Sequence, residues 1–68
     1  MKVKFKNVGY SNACWEAECK ELEEYWLLKQ VKPYCMSRNL IFTYNNDTNE
    51  GFIFGFFRVI GEFCLEVK

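Results

Sequence analysis

Apolar and charged residues alternate from the second position onward. Lys2, Lys4 and Lys6 fall on one side of an extended chain, Val3 and Phe5 on the other. A period of two predicts a half-buried strand over Lys2 to Asn7 with a solvated lysine face. Gly9 closes it, and Ser11 or Asn12 can cap a following helix by accepting a bond from one of its free N–H groups. From Ala13 to about Gln30, Trp15, Cys19, Leu22 and Trp26 recur at i, i+4, i+7 and i+11, while Glu16, Lys20, Glu23 and Glu24 occupy other angles. That spacing predicts an amphipathic helix. Pro33 pushes Lys32 toward extended geometry, so the helix stops near Lys29 to Lys32.

Asn39 to Asn45 sets Leu40, Phe42 and Tyr44 against Ile41, Thr43 and Asn45, a strand with both faces partly apolar. Asn45 to Gly51 is rich in residues that bond their own backbone or tolerate positive φ, which predicts a hairpin loop. Phe52 to Ile60 reads as the next strand. Ile53, Phe57, Val59, Phe63, Leu65 and Val67 keep one parity through Gly61. Two geometries fit: one long bent strand, or a two-residue turn at Gly61-Glu62 that pairs Ile60 with Phe63. The turn is preferred because Gly suits the first position of a II′ turn. The expected order is β-α-β-β-β, an α+β fold with one amphipathic helix packed on one face of a small, mostly antiparallel sheet. No linker or repeat interrupts residues 1–68, so one domain is expected.

Composition narrows the chemistry. Among 68 residues, nine Lys+Arg balance nine Asp+Glu, and there is no His. Zero net charge argues against a protein that coats a polyanion or mimics one, and a cysteine nucleophile would lack its usual base. Of the carboxylates, Asp47 and Glu50 lie in a loop beside water, where nothing raises a pKa; Glu62 and Glu66 complete the set. No enzyme activity, and therefore no catalytic residue, is expected. Cys14, Cys19, Cys35 and Cys64 are not spaced as the paired C-x2-C knuckles of a zinc site, so no metal and no cofactor is expected. Cys64, on the even face with Glu62 and Glu66, is the candidate exposed thiol. Asp47 and Asn49 begin a calcium-loop pattern that Gly51 and Phe52 break. The longest apolar run, Phe52 to Phe57, is far short of the ~20 residues needed to cross a bilayer, and no secretory leader is visible. A soluble, cytoplasmic protein with reduced cysteines is the expectation. Five Glu and two Lys between Ala13 and Gln30 give that helix a net charge of −3, with Glu16 and Lys20 as an i, i+4 pair; a solvated face explains this better than a partner site.

The most informative stretch is Gly51-Phe-Ile-Phe-Gly-Phe-Phe-Arg-Val59. If the helix covers Ile53, Phe57 and Val59, then Phe52, Phe54, Phe56 and Ile60 line the other face, which one helix cannot also cover. The first strand, or residues 31–38, folded across that face would make these side chains core. Otherwise they form an apolar patch that marks an interface. An open sheet also leaves an edge that only the lysines of the first strand guard, so edge pairing is a second route to a dimer. Phe54-Gly-Phe56 with Arg58 resembles the stacking strand of the RNA-recognition motif, which implies bases stacked on a sheet face flanked by Lys2, Lys4 and Lys6. Phe52 and Ile53 stand where that motif has a basic residue and Gly, and its second helix has no counterpart. The size, the Asn, Lys, Phe and Tyr bias and the lack of active-site chemistry are similar to those of many short phage or mobile-element proteins that inhibit host enzymes or defence systems, including anti-CRISPR proteins. The expected function is therefore a protein-binding module that occupies a partner's surface through Phe52, Phe54, Phe56 and Arg58, with a homodimer as one arrangement. Binding of single-stranded nucleic acid is the alternative reading, and a nucleotide-signal sponge at a dimer interface a third.

Overall fold

The computed structural model describes residues 1–35, 39–55 and 58–66. Five strands form one antiparallel sheet in the order β2-β1-β5-β4-β3, with one helix on one face. The α+β class and the helix on a small antiparallel sheet hold, as do the first strand, β1 (Lys2–Val8), and the strand β3 (Leu40–Asn45).

The main correction lies between them. Ala13–Glu18 is a strand, β2, and the helix α1 runs only over Glu24–Val31. Asn7, Gly9 and Asn12 all take positive φ, which reverses the chain so that β2 lies antiparallel on β1. The alternative to a helix was already present in this segment, because Trp15, Ala17 and Cys19 also alternate with Cys14, Glu16 and Glu18. Trp15 pairs with Phe5 across the ladder and stacks on it at 4.5 Å, 15° from parallel. Tyr34 covers the Trp15 ring at 4.5 Å, and Trp15 Nε1 donates to Gln30 Oε1 at 3.1 Å. A strand thus gives Trp15 two ring contacts and a hydrogen bond. The acidic helix disappears with this change. Glu16 pairs with Lys2 and Lys4 on the sheet, not with Lys20.

At eight residues α1 is too short to hold itself in water and depends on packing. Leu27 and Val31 are buried, and Trp26 leans on Phe5 at 6.0 Å between ring centroids. Glu24 sits in the first turn, where the helix dipole favours an anion. The helix ends at Val31, within the expected range, but Lys32 is not extended as Pro33 was expected to make it: it keeps helical angles, φ −52° and ψ −42°, and the chain runs on into a 3₁₀ turn, Lys32–Tyr34, that contains Pro33.

The C-terminal strands also differ from expectation. β4 (Glu50–Gly55) pairs antiparallel with β5 (Arg58–Glu66), from Glu50 opposite Cys64 to Gly55 opposite Arg58. Gly61 does not turn; β5 passes straight through it. Ile53 pairs with Gly61 and Phe54 with Val59, so Ile60 is an extra residue in β5, a β-bulge. The bulge inverts parity: Gly61 and Phe63 face the core, whereas Val59 is 49% exposed and Ile60 packs against the core. A matching irregularity in β1 between Phe5 and Val8 moves Val8 into the core in place of Asn7. The two irregular segments meet where Gly9 N–H donates to the Ile60 carbonyl at 2.9 Å.

Val3, Phe5, Val8, Leu27, Val31, Ile53 and Phe63 form the buried core. Phe63 is its hub, with ring centroids 6.3 to 6.5 Å from Phe5, Phe42 and Tyr44. It lies across from Gly51, where a Cβ would collide with its ring.

Candidate functional site

The helix covers one face of the sheet, and the pairing registers define the other. On that outer face, Ile41, Phe54 and Val59 lie side by side across β3, β4 and β5. The next row is Thr43, Phe52, Glu62 and Lys6. Further along, Lys4 and Lys2 stand between glutamates of β2 and β5: Lys2 Nζ is 3.3 Å from Glu16, and Lys4 Nζ is 3.8 Å from Glu16 and 3.6 Å from Glu66. The hydrogen bond from Lys2 to Glu16, reinforced by that carboxylate's charge, raises the Lys2 pKa above its ordinary value. The outer face is therefore divided into a charge-balanced half over β2, β1 and β5 and an apolar corner over β4 and the ends of β3 and β5.

Phe52 and Phe54, two of the expected contact residues, sit together in that corner with ring centroids 6.3 Å apart. Phe52 is 40% exposed and Phe54 half-buried. The first strand does not fold across them; it is a member of the same sheet and offers its lysines to the same face. Arg58 is separated from them. It pairs with Gly55, one step past the Phe54–Val59 pair, and so projects to the other side of the strand. It lines an open groove of about 530 Å³ with Asn7, Tyr10, Asn12 and Cys35, which also reaches Val59 and Glu62 of the outer face. Phe56, the remaining expected residue, lies outside the described residues.

Two residues of the corner escape a reading of the phenylalanine stripe alone. Ile41 is 62% exposed directly opposite Phe54. Its signal was the apolar residue on the otherwise polar face of β3. Val59 joins only because the Ile60 bulge turns it outward, and no local pattern announces a bulge.

The cysteines do not converge. Cys14, not Cys64, is the exposed thiol; Cys19, Cys35 and Cys64 are half-buried, and all four are free. Burial pushes the Cys35 thiol pKa up. Among the described residues, no group of three His, Cys, Asp or Glu side chains is placed to hold a metal ion, and no helix is long and apolar enough to cross a membrane.

No family model, curated protein or solved structure matches the chain.

Proposed function

We propose that this chain is a small cytoplasmic protein-binding module that acts by occupying a partner protein's surface, with the apolar corner of the outer sheet face as its contact. The observation that carries the reading is the exposure of Ile41, Val59 and Phe52 around a half-buried Phe54, on a face whose other half is balanced by ion pairs. Large apolar side chains gathered on an exposed surface cost solubility without adding to the core, and burial against a partner recovers about 25 cal/mol for each Å² removed from water. The absence of His and the divergence of the cysteines favour binding over catalysis. Four free thiols suit a reducing compartment. The size and the Asn, Lys, Phe and Tyr bias support a phage or mobile-element inhibitor of a host enzyme or defence system.

The lysines argue for a protein partner over a single-stranded nucleic acid. Lys2 and Lys4 already share Glu16 and Glu66, and Glu62 stands between Lys6 and Phe52. A phosphate backbone following this face would meet carboxylates as often as ammonium groups.

The test compares wild type with Phe54→Asp as baits for proteins of the same lysate, each checked by circular dichroism. The proposal expects a protein retained by wild type and lost by a folded Phe54→Asp. A folded variant that retains the same proteins would remove the surface role. Salt-sensitive binding of an oligonucleotide, weakened by Lys4→Glu, would replace it with the nucleic-acid reading.

A further inference from the structure

We infer that β3 is a self-association edge, and that two copies of this chain join β3 to β3, antiparallel about a two-fold axis, into one continuous sheet. β3 is an outer strand, and among the described residues nothing pairs with its free side. The Asn45 carbonyl accepts from Asn49 N–H inside the hairpin. Backbone groups point to alternate sides along a strand, so Leu40, Phe42 and Tyr44 turn their N–H and C=O outward.

The two outer strands are guarded differently. β2 carries Glu16 and Glu18 and is joined to β1 through an irregular ladder. Antiparallel self-pairing of β2 centred on Glu16 or Ala17 would set glutamate against glutamate. β3, Leu-Ile-Phe-Thr-Tyr-Asn, has no charge, no proline and an uninterrupted register with β4. Charged residues, prolines and bulges are the usual means of blocking an edge, and β3 has none of them. With the axis at Phe42, Leu40 faces the second copy's Tyr44 and Phe42 faces Phe42 on the helix side, while Ile41 faces Thr43 on the outer side. Leu40, Phe42 and Tyr44 are half-buried on their own chain, with their outward flanks available to the second copy. Their backbone groups would close about six hydrogen bonds across the pair.

This inference extends the partner-surface reading without depending on it, since it rests on the backbone edge of β3; of the corner side chains only Ile41 lies on that strand, and Phe54→Asp separates the two readings. If both hold, the axis brings two apolar corners together into one band that a partner meets as a unit.

The test is sedimentation of wild type, Phe54→Asp and Ile41→Lys/Thr43→Lys from nanomolar to submillimolar concentration, with hydrogen exchange of the β3 amides in wild type. Both lysine positions are exposed, and the doubled charge faces its own copy whether the axis lies at Phe42 or Thr43. Expected are a wild-type dimer, a Phe54→Asp dimer, a monomeric double variant with unchanged circular dichroism, and slower exchange of the Leu40, Phe42 and Tyr44 amides as the dimer fills. A wild-type monomer throughout the range would overturn the inference. So would a dimer that Phe54→Asp dissolves, a dimer that survives the two lysines, or one that leaves those amides as fast as in the monomer. Should the double variant fail to fold, the wild-type exchange rates decide alone.

Discussion

Gly51→Ala tests whether the packing around Phe63 is as tight as the structure has it. A Cβ built on Gly51 would lie well under 3.0 Å from both the tip of the Phe63 ring and the Thr43 carbonyl oxygen, where ordinary contacts begin near 3.4 Å. Neither neighbour can yield freely. Phe63 is 2% exposed, with Phe5, Phe42 and Tyr44 around its ring, and Thr43 is held in the β3–β4 ladder. Overpacking a formed core costs about 1–3 kcal/mol. Alanine returns part of this, about 0.4–1 kcal/mol, by restricting the unfolded chain. The net expectation is a loss of about 1–2 kcal/mol, which lowers the melting temperature of a domain this small by roughly 5–15 °C. Gly61→Ala is the milder comparison: its Cβ would meet Val8 Cγ2 at 3.1 Å and both Ile53 Cδ1 and the Val8 Cα at 3.2 Å, tight contacts that a shift of a few tenths of an ångström relieves. Urea and thermal unfolding followed by circular dichroism would measure both. Gly51→Ala as stable as wild type, or less damaging than Gly61→Ala, would refute this account of the Phe63 hub.

Other expectations follow from single contacts. Trp15→Ala loses stacking on Phe5 and Tyr34 and should cost about 2–3 kcal/mol in urea unfolding, below the 3–5 kcal/mol of a fully buried ring; a change under about 1 kcal/mol would argue against the β2 sandwich. Lys4→Gln removes ion pairs to Glu16 and Glu66 that are all well exposed, so its effect should stay under about 1 kcal/mol and fade in high salt. With iodoacetamide and peptide mapping, Cys14 should label first and Cys35 slowly, the latter needing a higher pH to form thiolate because burial raises its pKa. Equal labelling rates would contradict that assignment.

The strands β1 and β3 and the Asn-rich hairpin were legible because alternation and turn chemistry are local signals. β2 was not, for a geometric reason. Residues four apart share a face in both a helix and a strand, so Trp15 and Cys19 satisfy either period, and Leu22 and Trp26 then extend the helical match into the true helix. What decided between them was tertiary: Phe5 across the ladder and Tyr34 above it. The end of β4 was hidden because Phe52 to Phe57 has no polar turn residue, and Gly61 resembled a turn while serving close packing against Val8. Of the expected contact residues, Phe52 and Phe54 were legible as one face by simple parity. Arg58 was not, since grouping it with them assumed a strand that ran on past Gly55.

The claim that carries the account is that the outer-face phenylalanine Phe52 is surface and not core, and urea unfolding of Phe52→Asp tests it most directly. Phe52 is 40% exposed and opposite Glu62 and Thr43. The account predicts cooperative unfolding within about 1 kcal/mol of wild type. A loss of about 3 kcal/mol or more, or no cooperative transition, is what a buried phenylalanine gives, and it would contradict the account.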